Sequence, residues 1–199
     1  MAQINSRIVE VTPDNLSDYD LLCHKSKKRE LGYQKKLEWF KRCFEDGLRI
    51  KLLLVRERKG LTSRGFIEYV PGDFSWRAID ASGYMVIHCL WVVGRNKGKG
   101  YGTALINECI NDAAGMNGVA VVTSKKIWLS GDKIFIRNGF RKVDTAFSDF
   151  NLFVKSFGDV STVPKFKTYD SVYNIDFNGF LIFKSDQCPY TYNSVLEIE

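Results

Sequence analysis

An alternation of apolar and polar residues near the start of the chain predicts a strand over Arg7–Val11. Thr12 and Pro13 then mark a helix start, because threonine is favoured at an N-cap and proline at the first helical position. A second helix is predicted from Tyr33 to Asp46, where Gly47 is placed to end it. Its apolar face is formed by Leu37, Phe40 and Phe44.

Strand patterns dominate the next part of the chain. Leu48–Glu57 and Gly65–Tyr69 predict a hairpin around the turn Lys59-Gly60. The turn-forming residues Pro71-Gly72-Asp73 then interrupt the pattern, and a long fourth strand is predicted over Tyr84–Val93.

Beyond the fourth strand, helix and strand patterns alternate. An amphipathic helix begins near Tyr101, and its apolar face is formed by Leu105, Ile106, Cys109, Ile110 and Ala113. A strand at 119–123, a further helix that leads into Asn138-Gly139-Phe140, and two more strands follow. The predicted order is β-α-α-β-β-β-α-β-α-β-β.

Three alternating glycines lie between the fourth strand and the helix that follows it. Gly98, Gly100 and Gly102 let the backbone approach a ligand, and the N–H groups at a helix start favour phosphate oxygens. A nucleoside-triphosphate loop is disfavoured because Lys99 is followed by glycine rather than serine or threonine. A dinucleotide fingerprint would need glycine where Thr103 stands. The segment therefore predicts a site for another phosphorylated cofactor.

The segment Lys97-Gly98-Lys99-Gly100-Tyr101-Gly102 resembles motif A of the GNAT superfamily of acyl-CoA N-acetyltransferases, whose consensus is Arg/Gln-x-x-Gly-x-Gly/Ala. Lys97 takes the Arg/Gln position, which keeps a cation near the pyrophosphate but gives up a planar fork of donors. The resemblance implies acetyl-CoA as co-substrate and no metal. The cofactor-binding residues that it implies are Leu90, Trp91, Val92, Lys97, Gly98, Lys99, Gly100, Tyr101, Gly102 and Thr103.

The same resemblance implies an α/β (α+β) fold with a mixed, mostly antiparallel central sheet, helices on both faces, and a splay between the fourth and fifth strands. Backbone groups near Leu90, Trp91 and Val92 would then pair with the pantetheine arm and the thioester carbonyl. We assign residues 1–158 to this domain and 159–199 to a C-terminal extension.

The extension contains a second, shorter resemblance. An apolar run at 178–183 predicts a buried strand that leads to a helix start after Cys188. Cys188-Pro189-Tyr190-Thr191 is similar to the active-site turn of glutaredoxin. The extension would then be a truncated thioredoxin-like domain or a remnant docked on the first domain. A redox role for Cys188 and an inert packing role both stay open.

Acetyl transfer to an amine requires loss of a proton from the acceptor, stabilisation of an oxyanion and departure of a thiolate. The family's general acid is a tyrosine four residues before the glycine of Gly-Phe, and Phe135 stands there. Either the thiolate leaves unassisted, another residue serves, or catalysis is impaired. The family's frequent asparagine at the start of that helix is also absent, with Trp128 near its position.

His88 is the candidate base, because the fourth strand offers an imidazole and no carboxylate. The alternative is a hydrogen-bonded interior histidine, with the base then sought among Glu68, Asp73, Asp80 or an ordered water. By alternation Cys89 is expected on the opposite strand face, and an acetyl-cysteine route would need a base or cation beside it.

The acceptor is weakly specified. Four aromatic residues and three acids surround the turn into the fourth strand, and they are compatible with a mouth for an amine: Tyr69, Phe74, Trp76 and Tyr84, with Glu68, Asp73 and Asp80. Strands also attract aromatic residues for packing alone, and loops carry acids for solubility.

Composition fits a compact enzyme, since 45% of the 199 residues are hydrophobic. We expect a cytoplasmic protein without a membrane partner, because no signal peptide or bilayer-length apolar run is present. Five scattered cysteines without Cys-x-x-Cys pairing favour reduced thiols and no zinc. The net charge of +6 favours an anionic partner, which coenzyme A supplies without nucleic acid.

Two hypotheses for function result. The first is an acetyl-CoA-dependent N-acetyltransferase that moves an acetyl group directly to a primary amine, of a small molecule or a peptide, in a ternary complex. The second is a non-catalytic acyl-CoA-binding or regulatory module with a GNAT-like fold. A homodimer is compatible with both.

Overall fold

The computed structural model describes residues 5–21, 27–58, 60–125, 129–159, 162–168 and 184–196. The strands are β1 (Ser6–Val11), β2 (Arg49–Glu57), β3 (Gly60–Pro71), β4 (Ile79–Asp80), β5 (Tyr84–Val92), β6 (Gly118–Thr123), β7 (Arg141–Ala146), β8 (Phe150–Ser156) and β9 (Lys165–Phe166). The helices are α1 (Leu31–Phe44), α2 (Tyr101–Asp112), α3 (Asp132–Arg137) and α4 (Pro189–Leu196).

Seven strands form one sheet in the order β1-β2-β3-β5-β6-β8-β7, and β4 pairs with β9 in a separate ladder. Neighbours in the large sheet are antiparallel except β5 and β6, which are parallel. A parallel pair needs a crossover connection, and α2 provides it. The predicted mixed, mostly antiparallel sheet is confirmed.

Helices cover both faces of the sheet, as predicted. One face packs with α1 through a buried cluster that includes Phe40, Ile50, Leu52, Phe66 and Val70. The opposite face packs with α2 and α3 through a second cluster that includes Ile67, Ile87, Leu105, Ile106 and Phe135. Each such side chain contributes about 1.5–3 kcal/mol on full burial. The successive β3 residues Phe66 and Ile67 therefore pack on opposite faces of the sheet.

Several predicted boundaries change. The first predicted helix is wrong within the described residues, where a single 3₁₀ turn covers Pro13–Asn15. Thr12 is the N-cap of this turn and Pro13 its first residue, as predicted, and the Asn15 side chain accepts a hydrogen bond from the Thr12 N–H at 2.9 Å. The second predicted helix is confirmed as α1, which begins two residues earlier than expected.

The end of the chain also differs from expectation. The strand predicted at 178–183 lies outside the described residues, whereas the helix start after Cys188 is confirmed as α4. This helix packs on α1, where a Cβ added at Gly32 would lie 2.6 Å from the carbonyl oxygen of Pro189. The β4–β9 ladder had no counterpart in the predicted order.

Among the helices that the structure describes, we find none with the length and apolar character needed to cross a membrane.

Candidate functional site

β5 and β6 pair over only part of their length. Their parallel register runs from Tyr84 opposite Gly118 to Ile87 opposite Val121, whereas β5 itself continues to Val92. The two strands therefore separate after Ile87, which is the splay that the family resemblance implies between the fourth and fifth strands of the large sheet.

A β-bulge lies where the separation begins. β5 pairs Cys89 with Glu68 of β3 but Ile87 with Tyr69, so His88 is an extra residue without an opposite partner. A bulge of this kind bends its strand and shifts the side-chain alternation beyond it by one. The prediction that Cys89 and His88 occupy opposite faces is accordingly wrong, because both side chains pack against the cluster beneath α1.

Beyond the bulge, alternate amide groups of β5 point into the opening. The N–H of Val93 donates to the carbonyl of Arg64 at 2.9 Å, which fixes the alternation of bonds between β5 and β3. By that alternation the amide groups of Leu90 and Val92 face away from β3, toward the side that β6 has left. These are backbone groups of the segment predicted to bind the pantetheine arm.

The opening contains a narrow cavity of about 10 Å³, which is room for about one water molecule. It is lined by Ile87, His88, Cys89, Leu90, Val121, Val122, Leu129, Ser130 and Phe135. Ser130 donates its hydroxyl hydrogen to the carbonyl of Leu90 at 2.7 Å, across the gap between the strands. Phe135 is fully buried and packs edge-on against Phe140, with 5.4 Å between ring centroids.

The predicted phosphate loop is open to solvent. Gly100 precedes α2 with φ +77°, a left-handed conformation that favours glycine, and a Cβ added there would have no neighbour within 4 Å. The first helical bond runs from the N–H of Ala104 to the carbonyl of Gly100. The N–H groups of 101–103 thus have no acceptor within the helix, and the first turn carries no acidic residue.

The side chains around this loop fit an anionic group. Lys97 and Lys99 are exposed beside the open backbone, and the ammonium of Lys97 lies 6.0 Å from the ring centroid of Trp91, which is itself half exposed. The hydroxyl of Thr103 accepts a hydrogen bond from the Asn138 amide at 3.3 Å. The ten predicted cofactor-binding residues therefore lie at the end of β5, on the loop and in the first turn of α2.

Close packing holds this loop beside α3. A Cβ at Gly102 would meet the Cδ1 atom of Ile134, so a larger residue there would displace the end of that side chain. The same turn is therefore both the open end of α2 and its contact with α3.

His88 is 3% exposed and is held on the α1 side of the bulge. Its Nε2 lies 3.0 Å from the Ser75 hydroxyl, its ring centroid lies 3.7 Å from that of Trp76, and its carbonyl accepts a hydrogen bond from Arg77 at 3.0 Å. Among the residues that the structure describes, its buried Nδ1 has no hydrogen-bond partner.

Burial, with smaller contributions from the charges of Arg77 and Lys36, lowers the pKa of His88 well below its usual 6.5. The imidazole is therefore neutral at pH 7, which is the form that can accept a proton. The low pKa also makes it a weaker base than an exposed histidine.

A buried ion pair lies next to the bulge. The ammonium of Lys36 lies 2.8 Å from a Glu68 carboxylate oxygen and donates at 2.8 Å to the carbonyl of Gln187. The other Glu68 oxygen accepts from the Gln187 amide at 2.6 Å. Lys36 and Glu68 are at most 1% exposed and Gln187 is 8% exposed, so this pair of charges is closed off by the C-terminal segment.

The aromatic and acidic residues suggested for an amine mouth do not form one cluster. Tyr69 lies on the α2 face, where its hydroxyl donates to Asp112 at 2.6 Å, whereas Glu68 lies on the α1 face. Tyr84 is buried in the core, and Asp73 binds the hydroxyl of Ser82 at the surface. Strand alternation separates residues that are adjacent in sequence.

Sequence reasoning missed Ser130, Arg77, Lys36 and Gln187. One local signal was available for the ion pair, since Glu68 interrupts the apolar run of β3 and a buried charge needs a partner. Nothing in the sequence marks Ser130, because one serine in a loop carries no periodic or spacing signal.

A comparison of sequences identifies a clear relative. The chain is 32% identical over 195 residues to the uncharacterized N-acetyltransferase YoaP of Bacillus subtilis strain 168, covering 96% of this chain and 75% of that protein. No protein-family model matches the chain.

Solved structures with the same fold agree with this relationship. A GNAT-family acetyltransferase from Staphylococcus aureus Mu50 aligns with a TM-score of 0.52 at 15% identity, over 76% of this chain and 98% of that one. The Escherichia coli GNAT-family N-acetyltransferase YhbS, solved with CoA, aligns with a TM-score of 0.50 at 14% identity, over 84% and 92%. The chain belongs to the GNAT family of N-acetyltransferases.

Proposed function

We propose that this protein transfers the acetyl group of acetyl-CoA to a primary amine, directly and in a ternary complex. Acetyl-CoA supplies the acetyl group as a thioester. The N-terminal turn of α2, with Lys97 and Lys99, binds its phosphates, because open N–H groups and two cations converge there. Co-crystallisation of the structural neighbour YhbS with CoA supports the choice of cofactor.

The observation that carries the proposal is the separation of β5 from β6. It leaves the amide groups of Leu90 and Val92 without a strand partner, beside the cavity between the two strands. Backbone groups held in this way bind an amide-containing arm and stabilise a developing oxyanion without reorganising. The ten residues assigned from the sequence therefore act as one binding surface.

For deprotonation of the acceptor we propose His88. It borders the cavity at the bulge with its ring on the α1 side, it is neutral at pH 7, and its Nδ1 is a buried polar atom without a partner among the described residues. The Ser75 contact and the Trp76 stacking fix the ring, so the orientation of that atom does not depend on substrate.

The remaining assignments rest on the sequence. We place the reaction in the cytoplasm and take the acceptor to be a small molecule or a peptide. The division of the chain into residues 1–158 and 159–199 and the homodimer stay predictions.

A second candidate function is a non-catalytic acyl-CoA-binding or regulatory module. One observation favours it: Phe135, at the position of the family's tyrosine, is fully buried and carries no proton to donate. Such a protein would bind coenzyme A as tightly as an enzyme while showing no turnover.

One pair of measurements separates the candidates. Calorimetry measures the binding of CoA, and a thiol-release assay measures acetyl-CoA consumption across a panel of primary amines. Binding with amine-dependent turnover is expected. Binding with no turnover on any amine would favour the module, and absence of CoA binding would refute both.

A further inference from the structure

Ser130 links the two sides of the splay. It lies between β6 and α3, and its hydroxyl donates to the Leu90 carbonyl at 2.7 Å. The Leu90 carbonyl faces the side of β5 that β6 has left, so Ser130 occupies the position from which a strand partner would otherwise bond. The side chain is half-buried and therefore reachable from the cavity.

Ser130 also supplies what Phe135 cannot. Of the nine residues that line the cavity, Ser130 alone carries a hydroxyl group, while Phe135 presents only an aromatic ring. His88 is turned toward Ser75 and Trp76, on the α1 side of the bulge. The hydroxyl therefore lies beside the β5 backbone along which the proposed function runs the thioester.

We propose that Ser130 is a catalytic residue that hydrogen-bonds the departing thiolate. This inference rests on the proposed function. The bond between the acetyl carbon and sulfur breaks, and its electron pair stays on sulfur. As this negative charge develops, the Ser130 O–H turns from the Leu90 carbonyl to the sulfur. The acceptor nitrogen forms the new bond to that carbon and loses its proton to His88 or water. Ser130 keeps its own proton, and the thiolate is protonated later by solvent.

The size of the effect follows from the charge. A serine hydroxyl is too weak an acid to protonate a thiolate, so its contribution is a hydrogen bond to a charged group. Such bonds are worth about tenfold to a hundredfold in an equilibrium or a rate. Because the charge develops as the thiolate departs, the bond strengthens in the transition state.

The direct test measures CoA binding rather than activity. Calorimetric Kd values for CoA are determined between about pH 7 and pH 10, through the range in which thiols ionise. For the native protein we expect the affinity for CoA to rise with pH, because Ser130 hydrogen-bonds the thiolate form. For Ser130→Ala the ratio of the affinities at high and low pH should be about tenfold smaller. Ser130→Thr keeps the hydroxyl and should behave like the native protein. Desulfo-CoA should bind native protein and Ser130→Ala equally, with no such rise.

The outcomes separate this inference from the proposed function. If neither CoA nor desulfo-CoA binds the native protein, the proposed function fails. If both bind and the pH dependence for CoA is the same in Ser130→Ala as in the native protein, the role of Ser130 is wrong. Ser82→Ala, which removes a surface serine bond to Asp73, is the matched control and should leave every value unchanged.

A kinetic arm distinguishes a hydroxyl donor from a structural bond. Ser130→Ala should lower kcat by about tenfold to a hundredfold with little change in the KM for the amine. Adding Phe135→Tyr to Ser130→Ala should recover part of the rate, because it places a phenol in the same cavity. If Ser130 only ties down the Leu90 carbonyl, Phe135→Tyr will recover nothing, and that result would overturn the proposal.

Discussion

The two sides of the proposed reaction centre are built in opposite ways. The loop before α2 is exposed and offers backbone N–H groups from a short run of consecutive residues. The region next to the bulge, beneath α1, is closed and depends on side chains, with Lys36 bonded to Gln187 across 151 positions of sequence. Main-chain geometry thus defines the first region, and partners brought together by folding define the second.

This difference teaches which changes each region tolerates. The loop has few side-chain contacts to lose, so it is sensitive chiefly to backbone conformation and to charge. The buried pair is sensitive to the loss of either partner, because an unpaired charge would remain in the interior. The predictions below test this contrast.

The largest effect is expected at the buried pair. Lys36→Met leaves the carboxylate of Glu68 buried without its counter-ion, which should lower the free energy of unfolding by about 3–5 kcal/mol. Urea denaturation measures this change. The double variant Lys36→Met, Glu68→Gln should lose less of this free energy, because it leaves no uncompensated charge in the interior. Equal losses in the single and double variants would contradict the assignment, and Lys97→Met on the exposed loop should change stability by no more than about 0.5 kcal/mol.

A comparably large effect is expected at the loop, but in binding rather than folding. Gly100→Asp places a residue with a Cβ atom in a left-handed backbone conformation, which costs about 1–2 kcal/mol. Repulsion between its carboxylate and the phosphates costs about 1.5–3 kcal/mol more. Together these amount to about a thousandfold in the Kd for CoA, measured by calorimetry.

Controls at the loop separate strain from charge. Gly100→Ala retains only the strain and should weaken binding about tenfold. Gly115→Asp adds the same charge at another open, left-handed glycine, beyond the far end of α2, and should leave the Kd unchanged. Retention of CoA affinity by Gly100→Asp would show that the phosphates bind elsewhere.

A smaller effect is expected at the bulge. His88→Ala should lower kcat/KM by about a hundredfold while leaving CoA affinity nearly unchanged, because general base catalysis is lost. His88→Phe preserves stacking on Trp76 and should lose the same activity. If either folded variant keeps the native rate and pH dependence, His88 is a structural residue, and Glu68, Asp73, Asp80 or an ordered water would be the next candidates.

The smallest effect concerns stability against pH. The native pKa of His88 is lowered by burial, whereas an unfolded chain has a value of about 6.5. Below about pH 6.5 the unfolded state therefore binds more protons than the native state. As the pH is lowered through this range, the free energy of unfolding should fall by up to about 1.4 kcal/mol per pH unit. Denaturation between about pH 4.5 and pH 7.5 should show this slope in the native protein and its reduction in His88→Phe. Parallel curves would mean that His88 does not titrate differently in the two states.

The parts of the fold that follow from local pattern were predictable. Apolar alternation located β2, β3 and β5, and glycine spacing located the loop before α2. The two-residue strands β4 and β9 were not, because two residues are too few to show a period and their pairing joins Ile79 to Phe166.

The candidate site follows from the sequence only in part. The glycine spacing indicated the loop, whereas the family resemblance implied the backbone surface near Leu90 and the missing donor at Phe135, and these assignments stay predictions. The sequence did not indicate that Ser130 faces Leu90, or that Gln187 completes the buried pair, since both contacts depend on tertiary packing. It also misplaced Cys89, because a bulge changes strand alternation and leaves no sequence signal.

The bulge has a consequence for how position 88 can vary. Removal of His88 would make the pairs Ile87–Tyr69 and Cys89–Glu68 direct neighbours and restore regular alternation, so the residues beyond them would keep their partners and their faces. The strand would lose its bend rather than its register. Position 88 is therefore one at which the chain can shorten by a residue without turning the Leu90 and Val92 amides away from the cavity.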